Sequence, residues 1–457
     1  RTNFNDFMEI YDRDLIKGFR QFLEEGSIEI ITCGATHGYF PLIGEDACIN
    51  LQVKTAVETH KKHFGTSPKG IWMPESAYRP SYPWKRPVGD GYSQEEYDRF
   101  GVEEFLIEHG IEYTFIDSHM LKGGQAIGAY AERFKGLQIL IDQAKKARQP
   151  KPLKDLSPYQ LYSIVSSRKS DKGLTLFTRD PHTGLQVWSG EHGYPGDGWY
   201  LDFHKKRFPG GLRYWKVTSP KCGLGDKEIY NPEEIEGRLD ENASHFVDLI
   251  HKQLEEHKNS TGNPGVLTAP YDAELFGHWW FEGVRFLKKV YQKLDSSELV
   301  DSATANEAQS EFFPEVAVNI PEGSWGEDGF HYIWLNKETE WTWRDLYRDE
   351  ISVIDIVEKA KDSEDTTLID LATQLVRELM LAHSSDWQFL ISTWSARDYA
   401  EMRFAHHHNA IEKLLGIIED YLSSGEITEG GKFYLEEIKK QDHPFSNLKI
   451  EWLINLE

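Results

Sequence analysis

From Asp14 to Glu25 the apolar positions Leu15, Ile16, Phe19, Phe22 and Leu23 recur at helical spacing, and Gly26 closes the run, so the pattern predicts a helix. The apolar run IEIITCG over 28–34 reads as a strand. The order then repeats: a helix over about 51–64, a Gly/Ser/Pro turn, and the short apolar run from Gly70 to Met73. A third helix over about 93–110 precedes the strand YTFID at 113–117. Helix and strand alternate roughly every 40 residues, which predicts an α/β fold with a parallel sheet and crossover helices, open or closed as a barrel. In both forms ligands gather beyond the strand C-termini. Those ends carry Thr36-His37, Pro74-Glu75 and Asp117-Ser118-His119.

Between about 136 and 172 the chain turns basic and Pro/Ser-containing, and about 120–172 is expected to be an insertion or surface excursion. Regular pattern returns with LTLFTRD, followed by a Gly/Trp/Tyr-rich loop, a helix over about 232–258 and the predicted strand GVLTAPYDAELFG at 265–277. After about residue 300 no strand signal remains, and 350–382, 397–424 and 431–441 read as amphipathic helices. The pattern therefore divides into an α/β part over 1–315 and a helical part over 316–457.

Composition narrows the chemistry. The chain has 457 residues, 75 acidic against 51 basic, and a net charge of −24, which argues against nucleic acid or an anionic membrane surface as partner. Fourteen Trp and 13% aromatic residues exceed what a core alone usually needs, and point to a neutral ligand that stacks on rings. Three cysteines without C-x-x-C spacing fit a reducing compartment, and the cytoplasm is expected. No run is long and apolar enough for a membrane helix.

Two carboxylates stand out. Glu75 lies in GIWMPESAYRP, where its ordinary reading is a turn carboxylate or a partner for Arg79. Asp272 lies in TAPYDAELFGHWWFEG, where its ordinary reading is a helix N-cap. Together they suggest more. Two carboxyls at the mouths of apolar strands, each flanked by aromatic rings, suit glycosidic-bond chemistry, in which one attacks the anomeric carbon and the other protonates the leaving oxygen. Aromatic walls stack on sugar rings, and by desolvation raise the acid's pKa toward working pH.

ATHGYFP (35–41), GIWMPESAYRP (70–80), APYDAELFGHWWFEG (269–283) and SSDWQF (384–389) resemble, in order, the signature regions of glycoside hydrolase family 57, and most nearly those of its 1,4-α-glucan branching enzymes. The resemblance implies an incomplete (β/α)7 barrel followed by a helical domain that closes over the cleft. It implies a retaining enzyme acting on α-glucans such as amylose, amylopectin or glycogen, with no cofactor or metal. Residue by residue, it makes Glu75 the nucleophile and Asp272 the acid/base, and gives His37 a hydrogen-bonding place at the site. Trp188, Trp325 and Trp334 fall where the branching enzymes have substrate-stacking Trp, and Asp386 and Trp387 where the helical domain reaches the cleft. Tyr130, in AIGAYAERF, matches the Tyr at the tip of the family's mobile loop, without the neighbouring Tyr and Pro. An amylase or 4-α-glucanotransferase would use the same constellation. A catalytically silent glucan binder and a metal-dependent deacetylase are more distant readings.

The family's opening strand, with its HxHLPY-like motif, has no counterpart here, and the expectation is that roughly a hundred ordered residues precede Arg1 in the whole protein. Arg179 and Asp180 in FTRDP are candidates to orient the acid or a sugar hydroxyl. The run His406-His407-His408 reads as helix surface and packing, because three consecutive helical positions point around the axis. The turn-rich GYPGDGWY at 193–200 is a candidate cleft wall.

Overall fold

Gly70 explains how the sheet comes together: a Cβ there would collide with the Tyr113 ring, so only glycine lets these two strands pair. The computed structural model describes residues 2–89, 96–122, 156–166 and 173–454. Among them are eight strands: β1 (Thr32–Cys33), β2 (Gly70–Trp72), β3 (Tyr82–Trp84), β4 (Tyr97–Arg99), β5 (Tyr113–Asp117), β6 (Tyr162–Ile164), β7 (Leu174–Arg179) and β8 (Ala317–Val318). Six form one sheet in the order β1-β2-β5-β7-β6-β8, while β3 and β4 pair separately. The crossovers from β1 to β2 and from β2 to β5 run through the helices Asp46–Phe64 and Val102–Glu108. These parallel pairings put the ends of β1, β2, β5 and β7 on one side of the sheet.

Several expectations need correction. The sheet is mixed, because β6 runs antiparallel to β7. β6 also lies inside the stretch expected to be an insertion, so part of that stretch belongs to the central sheet. β8 is a strand beyond residue 300, and the strand expected over 28–34 shortens to β1. The strand expected over 265–277 is an extended segment joined to β7 by a single bridge, Thr268 to Arg179. Pro264 and Pro270 lack the donors that a longer ladder needs. Within the helix expected over 93–110, the described residues from 96 onward form β4 first and become helical only at Val102. The helix expected over 350–382 is two, Glu340–Ala360 and Thr366–Ala382, because the Asp365 side chain accepts from the Thr367 and Leu368 amides and starts a new one.

From Glu340 onward every described regular element is helical. Long apolar stripes bury these helices: Leu368, Leu371, Leu375 and Leu379 sit with Val353 and Val357 in the same core as Ile71 and Ile116 from the sheet. Sheet and helices thus share one interior. No described helix is long and apolar enough to cross a membrane.

Candidate functional site

The turn after β2 is strained where the chemistry is expected. Glu75 and Ser76 both adopt left-handed backbone, with φ of 61° and 50°, a conformation that costs a non-glycine residue about 1–2 kcal/mol. That turn holds the Glu75 carboxyl against Trp325. The Trp325 indole N–H donates to Glu75 Oε2 at 2.7 Å, and the Trp325 amide donates to the Glu75 carbonyl at 3.1 Å. The ordinary pairing with Arg79 does not form. Arg79 is buried and faces Asp46 at 3.6 Å instead.

The turn after β1 supplies His37, again in left-handed backbone (φ 59°). Its Nδ1 lies 2.8 Å from the Ser385 hydroxyl oxygen, and the Ser385 amide donates to the His37 carbonyl at 3.0 Å. Ser385 also lies near enough to the Glu75 carboxyl to hold its pKa down. A bridge from Gly38 to Ser384 and a bond from the Thr36 hydroxyl to the Met380 carbonyl fasten the same two segments. The helical region therefore reaches Glu75 through Ser385.

Asp272 occupies the position before the short turn Ala273–Leu275, yet its side chain makes no capping hydrogen bond, so the N-cap reading fails. It stands close enough to Glu75 for its negative charge to raise the Glu75 pKa. Burial above all, then the Asp272 and Asp386 charges, push Glu75 up to about 8 against the bond from Trp325 and the nearby Ser385. Burial, then Glu274, raises Asp272 to about 6, with Arg179 pulling the other way. Near neutral pH the pair carries about one proton, as an acid and a nucleophile working together require. Without sugar that proton rests on Glu75, whereas the retaining attack expected from the sequence needs it on Asp272. A pyranose with developing positive charge at the anomeric carbon would favour the anion at Glu75 and shift the proton across.

Aromatic rings frame these groups. Trp325 meets Trp72 edge-on at 4.7 Å and Trp188 at 5.9 Å, and all three are half-buried. The Arg179 guanidinium lies over both Trp188 and Trp325, at 5.9 and 5.8 Å. It is held by Asp117 at 3.0 Å. Asp117 in turn contacts His119 at 3.0 Å. Burial would raise Asp117, but His119 and Arg179 hold it at about 2, a firmly ionised anchor.

A family model described as glycosyl hydrolase family 57 matches residues 2–321. The chain belongs to that family. A second model, described as 1,4-alpha-glucan branching enzyme, C-terminal, matches residues 345–452. The chain is 39% identical over 448 residues to a 1,4-alpha-glucan branching enzyme of Thermococcus kodakarensis, covering 96% of this chain and 62% of that relative. It thus spans less than two thirds of that relative's length. The crystal structure of the Thermococcus enzyme, with glucose and additives, superposes with a TM-score of 0.86 at 38% identity, over 99% of this chain and 77% of that one. A branching enzyme from Pyrococcus horikoshii gives 0.85 at 36% identity, over 100% and 77%. An alpha-amylase from Thermotoga maritima gives 0.76 at 27%, over 98% and 77%.

Within this family 57 chain the structure gathers His37, Glu75, Arg179, Trp188, Asp272 and Trp325 around one site, with the charge of Asp386 acting on both His37 and Glu75. Trp334 is a correction: only 1% exposed, it stacks on Tyr39 at 4.4 Å and supports the interior instead of facing sugar. Trp387 turns its indole N–H to the Leu381 carbonyl at 2.9 Å and packs against the core, so it braces the segment that carries Ser385 and Asp386. Asp180 is fully buried and caps the helix Pro181–Trp188 through the Thr183 amide, away from any ligand. Tyr130 lies outside the described residues. The 193–200 loop lines a polar hollow of about 690 Å³ with His192, Trp199 and Arg238.

Sequence reasoning passed over Ser385, Trp72 and Asp117 as site residues. The first two lie inside quoted motifs, and Asp117 ends a predicted strand, but nothing local marks which neighbour of a motif residue turns inward. The three consecutive histidines do diverge in part, since His408 goes to Asp349. His406 and His407 nevertheless meet Glu378 and Asp442, with donor atoms within 4.8 Å.

Proposed function

We propose that this chain carries the catalytic part of a retaining 1,4-α-glucan branching enzyme. The observation that carries the reading is the pair of raised carboxyls, Glu75 and Asp272, with the Asp272 charge acting on Glu75, beneath a wall of tryptophans. In this mechanism Glu75 attacks the anomeric carbon while Asp272 gives its proton to the glycosidic oxygen, leaving a glucan ester on Glu75. Asp272 then takes the proton of an incoming sugar 6-hydroxyl, which displaces Glu75 and leaves an α-1,6 branch. Trp325 and Ser385 steady the Glu75 carboxyl, Trp188 and Trp325 offer stacking faces, and His37 and Asp386 lie where sugar hydroxyls would bind. The substrate is an α-glucan of the amylose, amylopectin or glycogen type, and a place in glycogen synthesis in the cytoplasm fits the three free cysteines.

The mixed sheet with its crossover helices is read as the incomplete seven-stranded barrel, residues 1–315, and residues 316–457 as the helical domain over its cleft. Support comes from the strand ends that carry His37 and Glu75 on one side and from the Ser385 link across the seam. The similarity to an alpha-amylase favours hydrolysis as the second reading. Incubation with amylose separates them: falling iodine stain with new α-1,6 linkages supports branching, and falling stain with reducing ends alone makes the protein a hydrolase. Glu75→Gln should abolish either activity. An unchanged rate in that variant removes Glu75 from the mechanism.

A further inference from the structure

Where the sheet side meets the C-terminal helices, three metal-type donors come together away from solvent. Cys48 lies in the first turn of the helix Asp46–Phe64, Glu350 within Glu340–Ala360, and His383 at the end of Thr366–Ala382. Their exposures are 0%, 0% and 1%. One donor atom from each lies within 4.8 Å of the others. Two ligands on one tetrahedral zinc ion stand roughly 3.3–3.8 Å apart, given Zn–S of about 2.3 Å and Zn–N or Zn–O of about 2.0–2.2 Å. About an ångström of closure would therefore complete the geometry.

Packing by itself leaves polar atoms stranded here. His383 Nε2 lies 3.0 Å from Glu350 Oε1, which also accepts from the Gly44 amide at 3.2 Å. The backbone comes so near that a Cβ on Gly44 would stand 2.5 Å from Glu350 Oε2. Even so, Glu350 Oε2 and His383 Nδ1 have no hydrogen-bond partner and no access to water, an arrangement native interiors rarely tolerate. A divalent ion held by the thiolate, the carboxylate and one ring nitrogen would satisfy the stranded Glu350 oxygen. One thiolate, one carboxylate and a neutral imidazole balance its charge, so the buried group is neutral as a whole. The Arg99 charge does reach Cys48 and Glu350, but its hydrogen bonds go to Asp46 and the Ile43 carbonyl, and Arg86 bonds to Glu45, so neither guanidinium touches the stranded atoms.

We infer that Cys48, Glu350 and His383 form a site for one zinc-type divalent cation that pins the sheet side of the molecule to its C-terminal helices. A mixed thiolate, imidazole and carboxylate set suits zinc better than magnesium or calcium, which prefer oxygen alone. The site shares no residue with the Glu75 and Asp272 pair, so the ion is structural. The cluster of Glu378, His406, His407 and Asp442 is different, because the Arg403 guanidinium already fills the cation's role there, 3.0 Å from His407 and 3.8 Å from Asp442.

The test is to unfold the chain in chelator, refold it with excess Zn²⁺ or Co²⁺, remove free metal and measure what stays bound. The expected result is about one equivalent of zinc per chain, and a thiolate-to-cobalt charge-transfer band in the Co²⁺ form. Cys48→Ser should lose that band and at least tenfold in metal affinity, His383→Gln should weaken binding similarly, and His406→Gln should leave it unchanged. Wild-type protein that keeps no zinc, or shows no thiolate band with cobalt, overturns the inference. So does Cys48→Ser protein that holds zinc as tightly as wild type. If Cys48→Ser fails to fold, the wild-type cobalt spectrum alone decides.

Discussion

Trp325 grips Glu75 twice, through its indole N–H to the carboxyl at 2.7 Å and through its amide to the carbonyl at 3.1 Å. A bond from a neutral donor to a carboxylate contributes about 1.5–3 kcal/mol. Trp325→Phe keeps most of the ring and the backbone bond but loses the indole donor. Its kcat on amylose should fall roughly ten- to hundredfold. A wild-type rate in Trp325→Phe would show that the indole only fills space.

Ser385 joins His37 and Glu75 from the helical side. Removing its hydroxyl in Ser385→Ala takes away an interaction that lowers the Glu75 pKa, so the alkaline limb of the kcat/KM profile should move to higher pH. KM should change little and kcat should drop about tenfold. Ser385→Thr, which keeps the hydroxyl, should recover the profile. A limb that stays in place in Ser385→Ala would reduce Ser385 to a packing residue.

The pair works with one shared proton, so activity should fall below about 6, where Asp272 takes a second proton, and above about 8, where Glu75 gives up the last one. Glu274 raises the Asp272 pKa and Arg179 lowers it. Glu274→Gln should therefore move the acidic limb down by roughly half a pH unit, and Arg179→Met should move it up. Pre-steady-state measurement of the bond-cleaving step checks this directly. Shifts of the same sign in the two variants would exclude Asp272 as the titrating acid.

The same strain should show in stability. Glu75 sits near 8 in the fold against about 4.5 in the unfolded chain. Between those values the folded state holds the extra proton, so stability falls as pH rises through that window. Glu75→Gln cannot ionise. Its Tm should exceed wild type at pH 8 and above, and the difference should shrink toward zero near pH 4.5, as differential scanning calorimetry can read.

Much of this was legible along the chain, and for local reasons. β5 and β7 end within a residue of their predicted ends, because dense β-branched and aromatic runs are bounded by turn residues. The helix Arg397–Ser424 follows a long amphipathic repeat closed by Gly425 in left-handed backbone. Glu75 and Asp272 were conspicuous as charges set among rings. The extended segment around Thr268 was overcalled as a strand, since apolar content does not say whether a neighbour will supply a ladder. Trp334 was misplaced for a similar reason: a Trp in a loop reads the same whether it faces a cleft or stacks beneath it on Tyr39.

The sequence by itself determined the strands β5 and β7, the long C-terminal helices and the two conspicuous carboxyls, because periodicity and turn chemistry act over a few neighbouring residues. Only the tertiary structure decided that Ser385, 348 positions from His37, would bond to it. It also decided that Cys48, Glu350 and His383 would meet in one dry seam. Burial and the charges brought near by folding set the Glu75 and Asp272 pKa values, and neither quantity exists until distant segments pack.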